Sequence, residues 1–258
     1  MNSNEILESV KRFPVIKDAK DERDFLFEET GSFNDKLPEQ FDRIKELTPI
    51  KDQGKRGTCV AFASVALAEW HIKKKKKEEL DLSEQFLFDV MKDIDTKEGY
   101  NSNTSRVRTG MKALGKYGVC LESLMKYEPT ADPAEWKTQD PPPLSRLDAI
   151  RRRIVAYLSV QNNIEAIKKA VYYNSPVTGA FRIYPNFRDS KNTGVLPMPE
   201  SNMVSDGGHA ILIVGWNDNK KAFIAKNSWG TSWGDKGYLW IPYDLFPKHT
   251  YSFWCITD

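Results

Sequence analysis

Apolar side chains recur at three- and four-residue steps in parts of the first two thirds of the chain, which is the spacing of one face of an α-helix. After Ser83, a suitable N-cap, such a pattern begins with Glu84 and Gln85 in the first turn. The apolar positions that follow are Phe86, Leu87, Val90, Met91 and Ile94. The sequence therefore predicts a helix over 83–94, and related patterns predict helices over 59–70, 106–116 and 163–173.

The last third of the chain is patterned differently, in short runs of β-branched and aromatic residues that are typical of buried strands. These runs are Val177–Ile183, His209–Trp216, Ala222–Lys226 and Gly237–Ile241. Asn217-Asp218-Asn219 separates the second run from the third and predicts a hairpin turn. Helices followed by strands favour an α+β fold with two unlike lobes.

Breaks in these patterns divide the chain. Residues 1–36 are charged and irregular, and we interpret them as an arm lying on the main body or as a short leader. The segment 137–146 carries three consecutive prolines and no apolar period, which predicts a linker or crossing loop. We expect one main domain over 37–258, with a helical lobe over about 37–140 and a β-rich lobe over about 141–258.

Charge and hydropathy give no indication of a nucleic-acid-binding or membrane protein. The 258 residues carry 38 basic and 36 acidic side chains, a formal net charge of +2, which gives no argument for binding nucleic acid or an anionic membrane. No stretch approaches the roughly 18 uninterrupted apolar residues of a membrane span, and the polar start lacks the apolar core of a secretory signal. We expect either a protein that stays in the cytoplasm or a chain from which a leader has been trimmed.

The cysteine and histidine content argues against a metal centre. Cys59, Cys120 and Cys255 are too few for a disulfide framework and lack the paired spacing of a zinc site. The chain has three histidines in all. We therefore expect no structural metal and no cofactor.

Cys59 lies at the boundary between two kinds of sequence. The stretch Gln53–Thr58 before it is glycine-rich and basic, and the residues after it are helix-forming or apolar up to Trp70. Thr58 is a candidate N-cap, which would make Cys59 the first helical residue. Because a helix N-terminus and a nearby imidazolium favour a thiolate, this position predicts a lowered thiol pKa and a nucleophile. The alternative interpretation is a small, inert core cysteine.

His209 and Asn227 supply the other side chains that such a nucleophile requires. His209 follows two glycines and opens an apolar run, so we expect it at the start of a buried strand facing a cleft. Asn227 ends another predicted strand, where its amide oxygen could accept the imidazole N–H and orient the ring. Trp229 could exclude water from that hydrogen bond. A structural histidine and a turn asparagine are the alternatives when each is taken alone.

Taken together, these motifs resemble the papain family of cysteine peptidases. The resemblance runs from about Leu37 to Gly237 and is densest around Gln53, Cys59, His209 and Asn227, in that order. Gln53 precedes Cys59 by six residues, the family's spacing for its oxyanion glutamine. His209 and Asn227 follow Cys59 by 150 and 168 residues, at and beyond the long end of the family's interval.

The resemblance implies a papain-like two-lobe fold, with a helical lobe, a β-barrel-like lobe and the active-site cleft between them. It implies that Cys59 is the nucleophile, that His209 is the general base and acid, that Asn227 orients His209, and that Gln53 donates to the oxyanion. The residues beside these four would contact a peptide or protein substrate, namely Gly57, Thr58, Gly208 and Trp229. We see no insertion that would block one end of the cleft, which favours an endopeptidase.

Some positions depart from the family pattern. Arg56 stands where secreted members carry a disulfide cysteine, and Val60 stands where most carry tryptophan. The first difference fits a disulfide-poor member from a reducing compartment or a bacterial branch. The stretch 100–105 lacks the paired glycines that bind substrate backbone in the family. Residues 1–36 are much shorter than the family's inhibitory pro-segment.

Two other functions are compatible with the same residues. The acyl-enzyme could be captured by an amine, which would make the protein an acyltransferase or transpeptidase. A papain-like fold could also be kept as a non-catalytic binding module, although the intact set of four site residues argues against this.

Overall fold

The structure is a computed structural model, and it describes residues 14–31, 33, 36–100, 104–128 and 138–257, with the single positions 4 and 8. Its six described α-helices are α1 (Cys59–Lys76), α2 (Glu84–Lys97), α3 (Val107–Lys116), α4 (Pro143–Ala149), α5 (Ile164–Tyr173) and α6 (Ser190–Thr193). Its strands are β1 (Gln40–Asp42), β2 (Ala156–Val160), β3 (Val177–Ile183), β4 (Gly207–Asn217), β5 (Ala222–Lys226), β6 (Tyr238–Pro242) and β7 (Thr250–Thr257).

The predicted helices are present, and two of the expected caps form. The Ser83 side chain accepts the Phe86 N–H at the start of α2, and the Asn163 side chain accepts the Ala166 N–H at the start of α5. Both bonds satisfy amide groups that lack a partner within the first turn of a helix. α1 extends one and a half turns beyond the predicted 59–70 and includes four lysines in its last turn, where cations suit the helix dipole.

The expectation of a linker over 137–146 is wrong in part. Residue 137 lies outside the described residues and 138–142 have no regular structure, but α4 begins at Pro143. Proline disrupts a helix interior yet suits its first turn, because the missing N–H would have no helical partner there. The three prolines therefore lead into a helix.

The strands form one seven-stranded antiparallel sheet in the order β2-β7-β3-β4-β5-β6, with β1 paired to β4. β4 and β5 form the predicted hairpin, in which Asn217 pairs with Ala222. β1, β2 and β7 were not predicted from the sequence. β1 lies within the segment assigned to the helical lobe, yet its Phe41 pairs with Trp216 of the sheet.

β4 is buried on both faces of the sheet. Ala210, Leu212 and Val214 point into the core shared with α1, α2 and α3, whereas Ile211 and Ile213 point into a second core shared with α5. Successive side chains of β4 therefore pack alternately into the two cores, and this explains the continuous apolar run of the strand. α1 lies along β4, so the first residue of α1 comes close to the start of β4.

α3 approaches α1 closely at Gly110. A Cβ atom there would lie 2.3 Å from Ser64 Oγ of α1, so only glycine permits this spacing. Gly110 weakens the sequence signal for a helix but is needed for the packing of that helix.

No described helix is both long and apolar enough to cross a membrane.

Candidate functional site

Cys59 begins α1, as its sequence context indicated, but the helix is capped differently than expected. Thr58 occupies the N-cap position, and its side chain makes no capping hydrogen bond. The Thr58 hydroxyl instead lies 2.7 Å from the Tyr127 hydroxyl. Thr58 is therefore at the predicted N-cap position and Cys59 is the first helical residue, but the Thr58 hydroxyl bonds to a tyrosine distant in sequence and not to the first turn of the helix.

His209 and Asn227 are brought together by the pairing of β4 with β5. His209 is the third residue of β4, Asn227 follows the last residue of β5, and Leu212 pairs with Lys226 in the ladder between the two strands. His209 Nε2 lies 2.8 Å from Asn227 Oδ1. An amide oxygen can only accept, so Nε2 carries the proton and Nδ1 is the ring nitrogen left for other chemistry.

Aromatic rings enclose this hydrogen bond. Trp229 stacks on the imidazole at 4.1 Å between ring centroids, and Phe181 meets it edge-on at 5.6 Å. Trp229 is 2% exposed. Because water is kept away, the bond between His209 and Asn227 is stronger than it would be in solvent.

Cys59 lies against the strand that carries His209. The Ala210 N–H points at Cys59 Sγ, with 3.5 Å between nitrogen and sulfur. Ala210 directly follows His209, so α1 and β4 place the sulfur beside the backbone of the candidate base. Thus Cys59, which is 151 residues before Ala210, contacts the strand that carries His209, and His209 is bonded to Asn227 across the adjoining hairpin.

Gln53 is hydrogen-bonded to Ser228, the residue after Asn227. Its backbone N–H donates to Ser228 O at 2.9 Å, and its Oε1 accepts the Ser228 hydroxyl at 2.6 Å. Its Nε2 donates to Arg56 O at 2.7 Å. Ser228 therefore fixes the orientation of the Gln53 amide from the loop that carries Asn227, a role that the sequence analysis did not assign although Ser228 lies within the Asn227 motif.

The ionisation of the site differs from the expectation. Burial raises the pKa of the Cys59 thiol to about 11, although the Ala210 and Val60 N–H groups act to lower it. Burial also lowers the pKa of His209 to about 4, against the opposing effect of the Asn227 hydrogen bond. A lowered thiol pKa was expected from the helix N-terminus, but here desolvation outweighs that effect. In this structure the favoured pair is a neutral thiol and a neutral imidazole.

Residues 14–16 of the arm are bonded to Gly208, the residue before His209, and to Ser105. The Ile16 N–H donates to Ser105 O at 2.9 Å, and the Ser105 N–H donates to Pro14 O at 3.2 Å. On the other side, the Val15 N–H points at Gly208 O at 3.5 Å, and the Tyr251 hydroxyl donates to Val15 O at 2.7 Å. The arm thus runs between the α3 side and the β4 side of the molecule.

The four predicted substrate-contacting residues differ in their surroundings. Gly208 contacts the arm through its carbonyl, and a Cβ there would lie 1.8 Å from the Tyr251 hydroxyl oxygen. Gly57 and Thr58 are buried in the loop before Cys59, and Trp229 is buried against His209. Of the stretch without paired glycines, residues 101–103 lie outside the described residues, and Ser105 pairs with the arm.

A buried charge cluster anchors the strand end next to Asn227. Lys226 Nζ donates to Thr48 O at 2.8 Å, and the Thr48 hydroxyl contacts Glu69. Lys51 Nζ lies 2.8 Å from Glu69 and 2.9 Å from Glu84. The Nζ atom of buried Lys226 bonds to Thr48 and not directly to a carboxylate, and burial lowers the pKa of Lys226 to about 8. Through these contacts the cluster ties α1 and α2 to the end of β5. None of the described residues forms a group of His, Cys, Asp and Glu side chains that could hold a metal ion.

Comparisons with known proteins show which family the sequence matches. The sequence model of the family described as papain family cysteine protease matches residues 37–246. The chain is 29% identical to a peptidase C1-like protein of Acanthamoeba polyphaga mimivirus, over 96% of this chain and 87% of that protein. It is 27% identical to cathepsin K of Mus musculus, over 92% of this chain and 69% of that one.

The fold comparison gives the same result. The crystal structure of xylellain, a cysteine protease from Xylella fastidiosa, superposes with a TM-score of 0.84 at 28% identity and covers 96% of each chain. The family match covers most of the sequence, and the α+β fold agrees with that of a solved cysteine protease. The chain therefore belongs to the papain family of cysteine proteases.

Proposed function

We propose that this protein hydrolyses peptide bonds in peptide or protein substrates, with Cys59 as the nucleophile. The observation that carries the proposal is a pair of contacts: Cys59 Sγ lies 3.5 Å from the backbone nitrogen of Ala210, the residue after His209, and His209 Nε2 lies 2.8 Å from Asn227 Oδ1. Sulfur, imidazole and carboxamide in this arrangement can carry out nucleophilic acyl transfer without a metal or an organic cofactor.

In the proposed reaction, His209 takes the thiol proton and the Cys59 sulfur attacks the peptide carbonyl carbon. The carbonyl oxygen becomes an oxyanion, which the Cys59 N–H and the Gln53 Nε2 group stabilise. His209 then gives its proton to the leaving amine as the C–N bond breaks, leaving a thioester. Water, activated by His209, releases the carboxylic acid and restores the thiol. Asn227 holds the His209 ring in the required tautomer throughout.

The arm belongs to this proposal. Residues 14–16 bond to Ser105 and to Gly208, the residue before His209. We expect an extended substrate to use the same backbone groups, so the arm has to move before a substrate binds. Its movement would bring water back to the site and favour the thiolate–imidazolium pair over the neutral pair. We expect the helical lobe and the β-rich lobe to form the two walls of the substrate cleft, and the absence of an obvious insertion in the sequence that would block one end favours an endopeptidase.

The proposal is tested by replacing the nucleophile. A Cys59→Ala variant should lose peptide hydrolysis to below about one thousandth of the parent rate, because the covalent step is no longer available. Cys120→Ala is the matched control, since Cys120 is also buried but lies outside the site. Full activity in Cys59→Ala would refute the proposal.

Two further experiments separate the other functions. Adding a peptide amine to the reaction and looking for ligated product by mass spectrometry distinguishes acyl transfer from hydrolysis. Iodoacetamide labelling distinguishes an enzyme from a binding module, because an activated Cys59 should react before Cys120 and Cys255.

A further inference from the structure

A tyrosine outside the recognised motifs reaches the loop that holds both candidate oxyanion donors. The Tyr127 hydroxyl lies 2.7 Å from Gln53 O at one end of this loop and 2.7 Å from Thr58 Oγ1 at the other end. Gln53 and Cys59 are six residues apart, and the side chain of Tyr127 spans the interval between them.

The direction of these hydrogen bonds follows from counting protons. A carbonyl oxygen can only accept, so Tyr127 gives its single hydroxyl proton to Gln53 O. The Thr58 hydroxyl must then donate to the Tyr127 oxygen. Two consecutive hydrogen bonds, from Thr58 to Tyr127 and from Tyr127 to Gln53, therefore connect the two ends of the loop.

Tyr127 is itself held firmly. Its N–H donates to Glu122 Oε1 at 2.7 Å, and its ring meets Phe62 of α1 edge-on at 4.9 Å. The Arg56 guanidinium carbon lies 4.5 Å from the ring centroid, and Arg56 also donates to Glu128 O. Burial raises the pKa of Tyr127, so the hydroxyl remains a donor at any working pH.

The loop has a second set of bonds inside the first. Arg56 O accepts both the Thr58 N–H at 2.9 Å and Gln53 Nε2 at 2.7 Å. Any shift of Gln53 relative to Thr58 would therefore change the direction in which the Gln53 amide points. Because an oxyanion donor acts only when it is aimed in advance at the developing charge, the position of these two residues matters to the reaction.

We infer that Tyr127 is a positioning residue for the oxyanion site, because its hydroxyl fixes Gln53 relative to Thr58 and the Cys59 N–H. The inference rests on the proposed function, since it assigns a second residue to the same reaction. Tyr127 does not touch the reacting atoms. Its effect is exerted through Gln53 and through the start of α1.

The test is Tyr127→Phe in the full chain, which removes the hydroxyl and keeps the ring. We expect kcat for amide hydrolysis to fall about 10- to 100-fold while KM changes by less than about twofold. The rate of iodoacetamide alkylation of Cys59 should stay unchanged, because the sulfur displaces iodide and no oxyanion forms. Because every variant carries the same arm, any hindrance of substrate or iodoacetamide access by the arm cancels in the ratio of the variant rate to the parent rate.

Tyr243→Phe is the matched control. It removes a tyrosine hydroxyl that donates to Asp218 at 2.7 Å, among contacts separate from the Gln53–Cys59 loop, and it should leave kcat unchanged. Thr58→Val is the second variant, in case Tyr127→Phe folds poorly. It should also lower kcat. The double variant, with both Tyr127→Phe and Thr58→Val, should be no slower than the slower single variant, because both changes disrupt the same series of hydrogen bonds.

The outcomes separate the two proposals. If the parent protein shows no Cys59-dependent turnover, the proposed function fails and this inference fails with it. If the parent is active but Tyr127→Phe matches Tyr243→Phe in kcat, only the role of Tyr127 is refuted. A parallel fall of kcat and of the alkylation rate would also refute it, because it would indicate a general disturbance of the site.

Discussion

His209 depends on one hydrogen bond for its orientation, and the surrounding rings keep that bond dry. The bond between Nε2 and Asn227 Oδ1 selects the tautomer, and Trp229 stacks on the ring. The role that we propose for His209 is tested at the scale of single residues by one residue change and one pH series.

The first change is Asn227→Ala. The His209 ring would lose its acceptor and sample orientations that do not face Cys59, at a cost of about 1 to 3 kcal/mol in the transition state, or roughly 5- to 150-fold in kcat. Steady-state kinetics on a peptide substrate measure this. Asn174→Ala, which removes an amide bonded to Cys255 Sγ, is the control, and equal rates in the two variants would contradict the prediction.

The second test is the effect of acid on stability. Because the pKa of folded His209 is about 4 and that of an unfolded histidine is about 6.5, the unfolded chain binds a proton that the folded chain does not bind between these pH values. The free energy of unfolding should therefore fall by about 3 kcal/mol from His209 alone as the pH drops through this window.

Urea unfolding at pH 4, 5, 6 and 7 measures the effect. His209→Gln lacks the titrating group, so the difference between the parent and the variant isolates the His209 contribution. A difference that does not change with pH would contradict the prediction.

At the scale of elements, helix starts and strand pairing position the site. α1 presents Cys59 at its first residue, and β4 and β5 bring His209 and Asn227 to the same end of the sheet. α2 supports α1 and carries Glu84 of the charge cluster.

The start of α2 gives a prediction at this scale. Ser83 Oγ accepts the Phe86 N–H at 3.0 Å and also donates to Met125 O. Ser83→Ala removes both bonds in a buried place and should destabilise the protein by about 2 kcal/mol. Chemical denaturation measures the change. Ser123→Ala, at an exposed position, should alter stability by less than about 0.5 kcal/mol.

At the scale of the whole molecule, the arm before the main domain is held in place by contacts with that domain. Asp18 anchors it: the carboxylate accepts the Arg108 N–H at 3.2 Å near the start of α3 and Trp254 Nε1 at 2.7 Å, and the Asp18 N–H donates to Ser252 Oγ. These contacts come from α3 and β7, so the arm spans helices and sheet.

Asp18→Ala should therefore loosen the arm. Losing the carboxylate bonds costs about 1 to 2 kcal/mol of docking energy, so we expect Cys59 in the full chain to react with iodoacetamide about 5- to 30-fold faster. Glu22→Ala is the control, because Glu22 is an exposed acid in the same arm. If the two variants react equally, Asp18 does not anchor the arm.

The pKa of Asp18 gives the sign of its pH effect. Burial raises this pKa above its usual value of 3.8, so the docked arm holds a proton on Asp18 more tightly than a free arm would. Acidification therefore favours docking through this residue and does not release the arm.

Much of the fold and of the candidate site was predictable from local sequence. The apolar spacing after Ser83 predicted α2 to within three residues, and the β-branched runs predicted β3 and β5 at their observed bounds. These segments carry their own signal, because their side chains face a core at a fixed period. β1 was missed because three residues give no period, and its pairing with β4 decides its conformation.

The sequence by itself determined which residues could do the chemistry, since Gln53, Cys59, His209 and Asn227 each lie in a local motif of helix start, strand start or strand end. Only the tertiary structure decided how those residues are surrounded. Tyr127 contacts Gln53, and Val15 contacts Gly208, across long stretches of chain. Burial in the folded protein sets the pKa values of Cys59 and His209 against the local expectation. Desolvation depends on everything that surrounds a group, and no local pattern contains that information.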